Sequence, residues 1–419
     1  MVLSQLAHTL IGSEIVKLGG EIKEKIKQGE HIYNFTVGDF DPSIFPIPKG
    51  LETAIVEAYH QRYTNYPLAE GIIELREAIA QFLVAFQGLQ YNTNEILVAS
   101  GGRPLIYALF RTIADKADKI IYAVPSWNNN HYTHFVEGEH IIINATEANN
   151  FMPTAADIAP HIKGAVLLAL CSPQNPTGTT FAKAALADIC AMVVAENEQR
   201  GENEKKLYVM FDQMYSHLTY SDIHHYDPVS LNSSMKPYTI YIDAISKVFA
   251  ATGVRVGWSM GPTEIIAKMK AILTHVGAWA PMAEQKATAV FLSQTEVIKT
   301  YLQAFKNELG FRLDAIYNGI KALQQKGYNV NAIAPEAAIY LTIKIDLVGS
   351  ITNNGNTLAN QTDVTSYLLS EAKLALVPFY AFGAAANSPW YRLSVGTCKK
   401  EDIVPMLLQL ENALASLKK

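Results

Sequence analysis

Six short runs of the chain, Ile96 to Ala99, Lys119 to Val124, His140 to Asn144, Gly164 to Leu170, Leu207 to Phe211 and Tyr238 to Ile242, are apolar and rich in β-branched residues. Most are separated by stretches of helical rhythm, and they lie too far apart to be joined as hairpins. Strands that are apolar on both faces and linked through helices form a parallel or mainly parallel sheet covered on both sides. The pattern therefore predicts an α/β fold. In such sheets ligands bind beyond the carboxyl ends of the strands, so the residues that follow each run are the first candidates for function.

The rest of the chain arranges itself around this block. Residues 3 to 28 read as a helix that breaks at Gly19-Gly20, followed by a short strand from His31 to Thr36. A Pro/Gly-rich loop, Val37 to Pro48, leads into two amphipathic helices, Lys49 to Tyr59 and Gly71 to Phe86. Beyond the last apolar run, Pro262 to His275 and Pro281 to Leu309 are helical. A smaller α+β unit follows: helix Phe311 to Gln325, strand Ala338 to Ile345, helix Val364 to Lys373, strand Trp390 to Val395 and helix Glu401 to Leu417. The polar loop 349 to 362 reads as an exposed insertion. Expected divisions are an N-terminal arm (1–45) that joins the smaller unit, a large domain (46–300) and a small domain (301–419).

With 419 residues, 49% hydrophobic and 17% charged, the chain buries a substantial core. Its net charge of −5 gives no basic field for nucleic acid, so partners are small molecules or protein. Cys171, Cys190 and Cys398 are widely spaced and form neither a disulfide framework nor a zinc knuckle, which fits a reducing cytoplasm. The N-terminus lacks the basic region of a signal peptide, and the longest apolar runs fall well short of the ~20 residues of a membrane span. The pairs His131/His134 and His224-His225 have no carboxylate pattern beside them and read as structural rather than metal-binding.

At the strand ends the residue types become specific. The run ending at Ile242 passes into Ser246-Lys247, where Ile245 and Val248-Phe249 provide the apolar setting that keeps an amine neutral, as a nucleophilic lysine requires; a lysine reaching solvent is the alternative. Eight positions on, Arg255 stands among Val254, Val256 and Gly257 and calls for an anion such as phosphate. Ser100-Gly101-Gly102-Arg103 opens a helix, gathering glycine amides and a helix N-terminus into an anion cradle, or simply a tight turn. Trp127 ends its strand with a ring that stacks on a flat ligand or fills a core. The loop Ser172 to Gly178 fixes the amide of Asn175 in a constrained Asn-Pro turn. Asp212 and Tyr215 emerge together after another buried run, with a capping role as the alternative for Asp212. Arg392, on a strand between apolar neighbours, suits bidentate capture of a carboxylate or an internal salt bridge.

Taken in order (Gly-Gly, Trp, Asn-Pro, Asp-x-x-Tyr, Ser-Lys, Arg, Arg-x-Ser) across roughly residues 30 to 400, these motifs resemble those of the class I/II pyridoxal-phosphate (PLP) aminotransferases of fold type I. The resemblance implies a large domain whose mainly parallel sheet, of about seven strands, is sandwiched by helices, and a smaller α+β domain formed by the arm and the C-terminal third. It implies PLP as cofactor, tethered as a Schiff base to Lys247, which also serves as the general base. Asp212 then meets the pyridine nitrogen, Asn175 and Tyr215 the ring oxygen, and Trp127 the ring face. Gly101, Gly102, Arg103, Ser246 and Arg255 gather at the phosphate. Arg392, with Asn175 and Gly38, takes the substrate α-carboxylate. Tyr66 reaches the phosphate of a neighbouring subunit, which implies a homodimer with active sites at its interface. A cis Asn175–Pro176 bond is also expected.

The implied reaction moves the amino group of an L-amino acid to a 2-oxo acid such as 2-oxoglutarate. Cystathionine-type C–S lyases and cyclopropane-forming synthases share these motifs and differ in product. A regulator built on the same domain would carry a winged-helix module, for which about 30 residues before the arm strand are too few. Two departures concern fine contacts: Ala244 stands where many relatives have a phosphate-binding serine, and Pro378-Phe379 replaces a Pro-Gly pair. Where dicarboxylate-specific relatives offer a second arginine, this chain has Thr274 and His275, with Trp279 and Phe40 available as an apolar wall. Neutral or aromatic amino acids are therefore expected as substrates alongside aspartate and glutamate.

Overall fold

In the computed structural model, which describes residues 3–10, 12 and 14–418, the strands are β1 (Tyr33–Asn34), β2 (Ile96–Ala99), β3 (Lys119–Val124), β4 (Glu139–Asn144), β5 (Ala165–Cys171), β6 (Tyr208–Asp212), β7 (Thr239–Ala244), β8 (Gly257–Met260), β9 (Val330–Ala332), β10 (Tyr340–Ile345), β11 (Leu374–Ala375), β12 (Val377–Pro378) and β13 (Trp390–Ser394). Seven of them form one sheet in the order β2-β8-β7-β6-β5-β3-β4. Strands β3 to β7 run parallel, and β8 is inserted antiparallel between β7 and β2. The mainly parallel α/β architecture expected from the six apolar runs is present, with helices on both faces.

Burial explains why those runs became strands. Every residue of β2, β7 and β8 is buried, because helices cover both sides. On one face Leu75, Ile79, Phe82 and Phe291 pack with Phe249 and Trp258. On the other, Leu105 and Leu109 of the helix Gly102–Ile113 and Ile266 and Met269 of Thr263–Val276 pack on Leu97, Ile120 and Ile242. Truncating one of the fully buried rings, Trp258 or Phe82, to alanine costs about 3–5 kcal/mol in such a core. The outer strand β4 is largely solvent-facing.

A second, antiparallel sheet has the order β12-β13-β10-β9, and the arm strand β1 pairs in parallel with β11. Its core joins Tyr340, Ile343, Tyr391 and Leu393 to Leu313, Ile316 and Ile320 of the helix Thr295–Gln325.

Several expected boundaries moved. The helices read as 281–309 and 311–325 are instead Met282–Leu292 and a continuous Thr295–Gln325 of 31 residues. Gly310 lies inside the latter without breaking it, and a Cβ there would sit 3.4 Å from the Tyr220 ring. The first helix does not break at Gly19-Gly20: a helix spans Glu14–Lys27, and a separate turn of helix precedes it at Gln5–Thr9. The arm strand shrinks from 31–36 to Tyr33–Asn34, because the Asn34 side chain turns back to accept from the Thr36 amide at 3.1 Å. The helix expected at Val364 begins at Gln361, where Asn360 caps it by accepting from the Asp363 amide at 3.0 Å.

Candidate active site

The carboxyl ends of the parallel strands open on one edge of the large sheet, and the loops leaving them carry the candidate residues. Because β8 runs antiparallel, its beginning lies at that same edge, which brings Arg255 beside the loop after β2. The fit is close. Gly101 has φ +90°, and a Cβ on it would lie 2.3 Å from Arg255 Nη2; a Cβ on Gly257 would lie 2.7 Å from the Gly101 carbonyl carbon. Arg255 itself has φ +63°. Its guanidinium donates to the carbonyls of Thr252 (2.8 Å) and Ser100 (2.9 Å). Gly102 starts the helix Gly102–Ile113, so its end points into this cradle. Buried Ser246 completes the group at the end of β7 and makes no hydrogen bond through its hydroxyl among the described residues.

Lys247 lies in a single helical turn, Ile245–Val248, rather than in the loop read from the sequence. Its Nζ donates to the carbonyl of Gly38 and stands 5.8 Å from the Phe40 ring centroid. Burial pushes its amine down to about 8; Asp39 opposes the shift, while the guanidiniums of Arg392, Arg103 and Arg255 reinforce it. Asp212 ends β6. Burial pushes its carboxyl up to about 6, eased only by the Met214 amide at 3.2 Å. Asn175 follows a buried strand and precedes a cis bond to Pro176, as expected.

Arg392 projects from the middle of β13 and is only 2% exposed. Its Nη1 donates to Asn175 Oδ1 (3.0 Å) and its Nη2 to the Thr36 carbonyl (2.7 Å), while Nε is buried without a partner. The rings of Tyr340 and Phe382 flank the guanidinium at 4.7 and 4.9 Å. Gly38 is there because a side chain would not fit: its Cβ would fall 2.9 Å from Tyr340 Oη. Tyr215 Oη lies 2.6 Å from Tyr340 Oη. Arg103 covers the Trp127 ring at 5.3 Å.

Two sets of candidates stand apart. Tyr66 is 82% exposed and meets Trp279 edge-on at 5.2 Å. Thr274 and His275 are exposed in the last turn of the helix Thr263–Val276. Three residues were not singled out from the sequence. Asp39 accepts from Thr252 Oγ1 at 2.6 Å and is the carboxylate nearest the lysine in effect; its signal was adjacency to Gly38. Tyr340 and Phe382 had no local signal beyond lying in or after a strand.

The set suits a flat, anionic, carbonyl-bearing ligand. Three guanidiniums and a lysine amine share one nearby carboxylate, Asp39, a glycine cradle leaves no room for a Cβ, and the buried carboxyl of Asp212 lacks a cation. Among the described residues no group of three or more His, Cys, Asp or Glu side chains is placed to hold a metal ion.

Comparison with known proteins agrees with this geometry. Residues 30–408 match the family model described as aminotransferase class I and II. The aspartate aminotransferase of Rhizobium meliloti (strain 1021) is 27% identical over 396 residues, 93% of this chain and 90% of that protein. A probable aspartate/prephenate aminotransferase of Rickettsia felis is 28% identical over 409 residues, 96% of this chain and 93% of that one. Among solved structures, the Rhizobium meliloti aspartate aminotransferase superposes with a TM-score of 0.90 at 25% identity, covering 100% of both chains. The Thermus thermophilus aspartate aminotransferase with maleate gives 0.87 at 25% identity, covering 99% of this chain and 100% of that one.

Proposed function

The chain belongs to the class I and II aminotransferases, and from that premise we propose that it holds pyridoxal phosphate at Lys247 and moves the amino group of an L-amino acid to a 2-oxo acid, 2-oxoglutarate among them. One observation carries the reading: an amine pushed down to about 8 at the same sheet edge as a buried, cation-free carboxyl. The cofactor, when bound, supplies an electron sink for the carbanion that forms at the substrate's Cα. The chain's own residues do the rest. Arg255, Ser246 and the amide of Gly102 hold the phosphate, with Gly101, whose own amide donates to the Ala99 carbonyl at 2.7 Å, and Arg103 beside them. Trp127 covers the ring, Asn175 and Tyr215 donate to its oxygen, and Asp212 keeps a proton on its nitrogen. Arg392, with Asn175 and the Gly38 backbone, orients the α-carboxylate; its unpartnered Nε supports that role. Lys247 Nζ would tether the cofactor and, once released, would carry the proton from the substrate's Cα to the cofactor's C4′ carbon, for which a pKa near the working pH is best suited.

The same reading assigns the arm to residues 1–45, a large domain to 46–300 and a small domain to 301–419. It makes the molecule a homodimer in which Tyr66 reaches the partner's phosphate. Exposed apolar side chains close in sequence to Tyr66 or to its ring partner Trp279, namely Leu68, Ile73 and Val276, support such an interface. Three free cysteines support a cytoplasmic setting, and none of the described helices is long and apolar enough to cross a membrane.

The test is direct. Protein incubated with pyridoxal phosphate and reduced with borohydride should carry the cofactor's mass on the peptide that contains Lys247, and a panel of amino donors with 2-oxoglutarate should yield glutamate. Label on another lysine, or no glutamate from any donor, would sink the reading. Pyruvate and ammonia in place of glutamate would move the assignment to a C–S lyase.

A further inference from the structure

A polar cleft of about 460 Å³ opens between the end of the helix Ile73–Gln87, the segment 216–227 and the beginning of the helix Thr295–Gln325. None of its lining residues belongs to the site described above. From the long helix it takes Lys299, Leu302, Gln303 and Lys306, which share one face by their spacing. Facing them are Gln87, Ser216, His217, His224 and His225.

The charges in this cleft do not balance. Lys306 is partly buried, and among the described residues its ammonium makes no hydrogen bond and has no carboxylate within 4.0 Å. Lys299 is paired with Glu296 at 2.8 Å. The one lining carboxylate, Asp227, already accepts from Tyr241 Oη and from the amides of Val229 and Ser230. A network of amides also fixes the imidazoles. Gln213 Nε2 donates to Gln87 Oε1 (2.9 Å) and to Asp243 Oδ2 (3.2 Å), so its Oε1 faces His225 Nε2 (3.4 Å) and assigns the ring proton there. His225 Nδ1 is then a bare nitrogen, buried and without a partner. Gln87, with its oxygen engaged, turns its Nε2 to His217 Nε2 (3.2 Å), which leaves His217 Nδ1 carrying a proton. Phe82 and Phe86 close the other side of the His217 ring edge-on.

We propose that this cleft binds a small dianion, a phosphate group or a dicarboxylate, between Lys306 and the imidazoles of His217 and His225. The unmatched lysine supplies charge, His217 a donor, and His225 Nδ1 a place for the proton that strengthens the complex. Burial depresses all three groups, and Lys306 adds to the depression of His217. An anion among them reverses that effect, so binding takes up protons and tightens as pH falls.

Calorimetric titration of the pyridoxal-phosphate-loaded protein with sulfate, which has the tetrahedral shape of phosphate and stays a dianion throughout, and with succinate in a parallel arm, tests this at about pH 6 and about pH 8. The loaded form keeps the phosphate cradle of the active site out of the measurement, and because succinate can also meet Arg392 only binding that the cleft variants change is counted. Expected are binding in at least one arm, tighter at the lower pH, and heats that differ between buffers of unlike ionisation enthalpy in the sense of proton uptake. Lys306→Gln should weaken binding about tenfold or more. Gln303→Glu, which supplies a carboxylate from within the cleft, should abolish it and raise the thermal midpoint. Whichever ligand shows the variant-sensitive binding identifies the headgroup. If neither anion binds the wild-type protein, or if affinity is the same in both variants, the cleft is not an anion site.

Discussion

Arg392 and Lys247 are both cations held largely out of water, yet the two sheets hold them by different means. Arg392 stands mid-strand in the antiparallel sheet, opposite Thr342 on β10 and Val377 on β12, with a ring on either side and two carbonyl-type acceptors. Lys247 stands past the end of a parallel strand, in one turn of helix, with a single carbonyl acceptor. A guanidinium locked in a strand stays charged and keeps its fork aimed, which suits binding. An amine at a strand end is free to lose its charge and to move, which suits chemistry. The antiparallel sheet thus supplies a fixed anchor and the parallel sheet the groups whose protonation changes.

The comparison breaks most sharply at Lys247. Lys247→Ala should lower turnover about 10⁴-fold or more while leaving the fold intact, since it removes a charge from a buried place and adds none. Transamination retained in the purified variant, with the cofactor absorbing as it does in the wild type, would end the assignment.

Arg392→Lys tests the other half. Loss of the planar fork should cost about 10²-fold in kcat/KM or more, roughly 3 kcal/mol, for every amino acid alike. A loss confined to one side-chain class would mean that Arg392 reads the side chain and not the α-carboxylate.

Selectivity among side chains should be modest, because Thr274 and His275, read from the sequence as standing in place of a second arginine, lie exposed and apart from Arg392 and Lys247. The ratio of kcat/KM for aspartate to that for phenylalanine or methionine measures it. A preference for aspartate of about a thousandfold, near 4 kcal/mol, would require another cation for the distal carboxylate and would withdraw the inference.

The smallest effect is on stability. In the cofactor-free protein, burial raises the carboxyls of Asp212 to about 6 and Asp243 to about 7, above their unfolded values. Between the unfolded and folded pKa values the native state holds protons that the unfolded chain has lost, so these two carboxyls contribute stability that is lost as pH rises from about 4 to about 7, while buried His217 and His225, depressed to about 3 and about 4, contribute the opposite slope up to their ordinary value. Lys247, depressed to about 8, adds the opposite slope: stability rises from there toward the ordinary lysine value. The Asp212 contribution is therefore read as a difference: the thermal midpoint of Asp212→Asn minus that of the wild type should rise between about pH 4 and about pH 6, by a few degrees, about 2–4 °C per kcal/mol at this size or less. A difference that stays flat from about pH 4 to about pH 6 would contradict the burial of Asp212.

What the sequence makes legible follows the same division. Asn175, Asp212 and Lys247 are readable because each closes an apolar run whose period and flanks announce a buried parallel strand, and the rule about strand ends then places them together. Strand β8 is not readable: Gly257-Trp-Ser-Met260 has no run of its own and becomes a strand only by pairing with β2 and β7. Gly310 and Gly19-Gly20 look like breakers, but the helices around them override a local cost of about 1 kcal/mol per glycine. Tyr340 lies within a strand that was expected, yet its importance comes from Tyr215 and Arg392, distant in sequence and adjacent only after folding.

The long helix Thr295–Gln325 has a consequence for how the molecule comes apart. At about 1.5 Å per residue it spans roughly 46 Å. It gives Ile298 and Leu302 to the core of the large sheet and Phe305, Leu309 and Leu313 to the core of the small one, with Tyr301 packed against both. The handover takes less than one turn and contains no joint. Melting the small-sheet core strips the packing from most of that helix, and the fraying reaches Leu302 at once. The two cores therefore share one cooperative transition, and damage to either is registered by the whole chain.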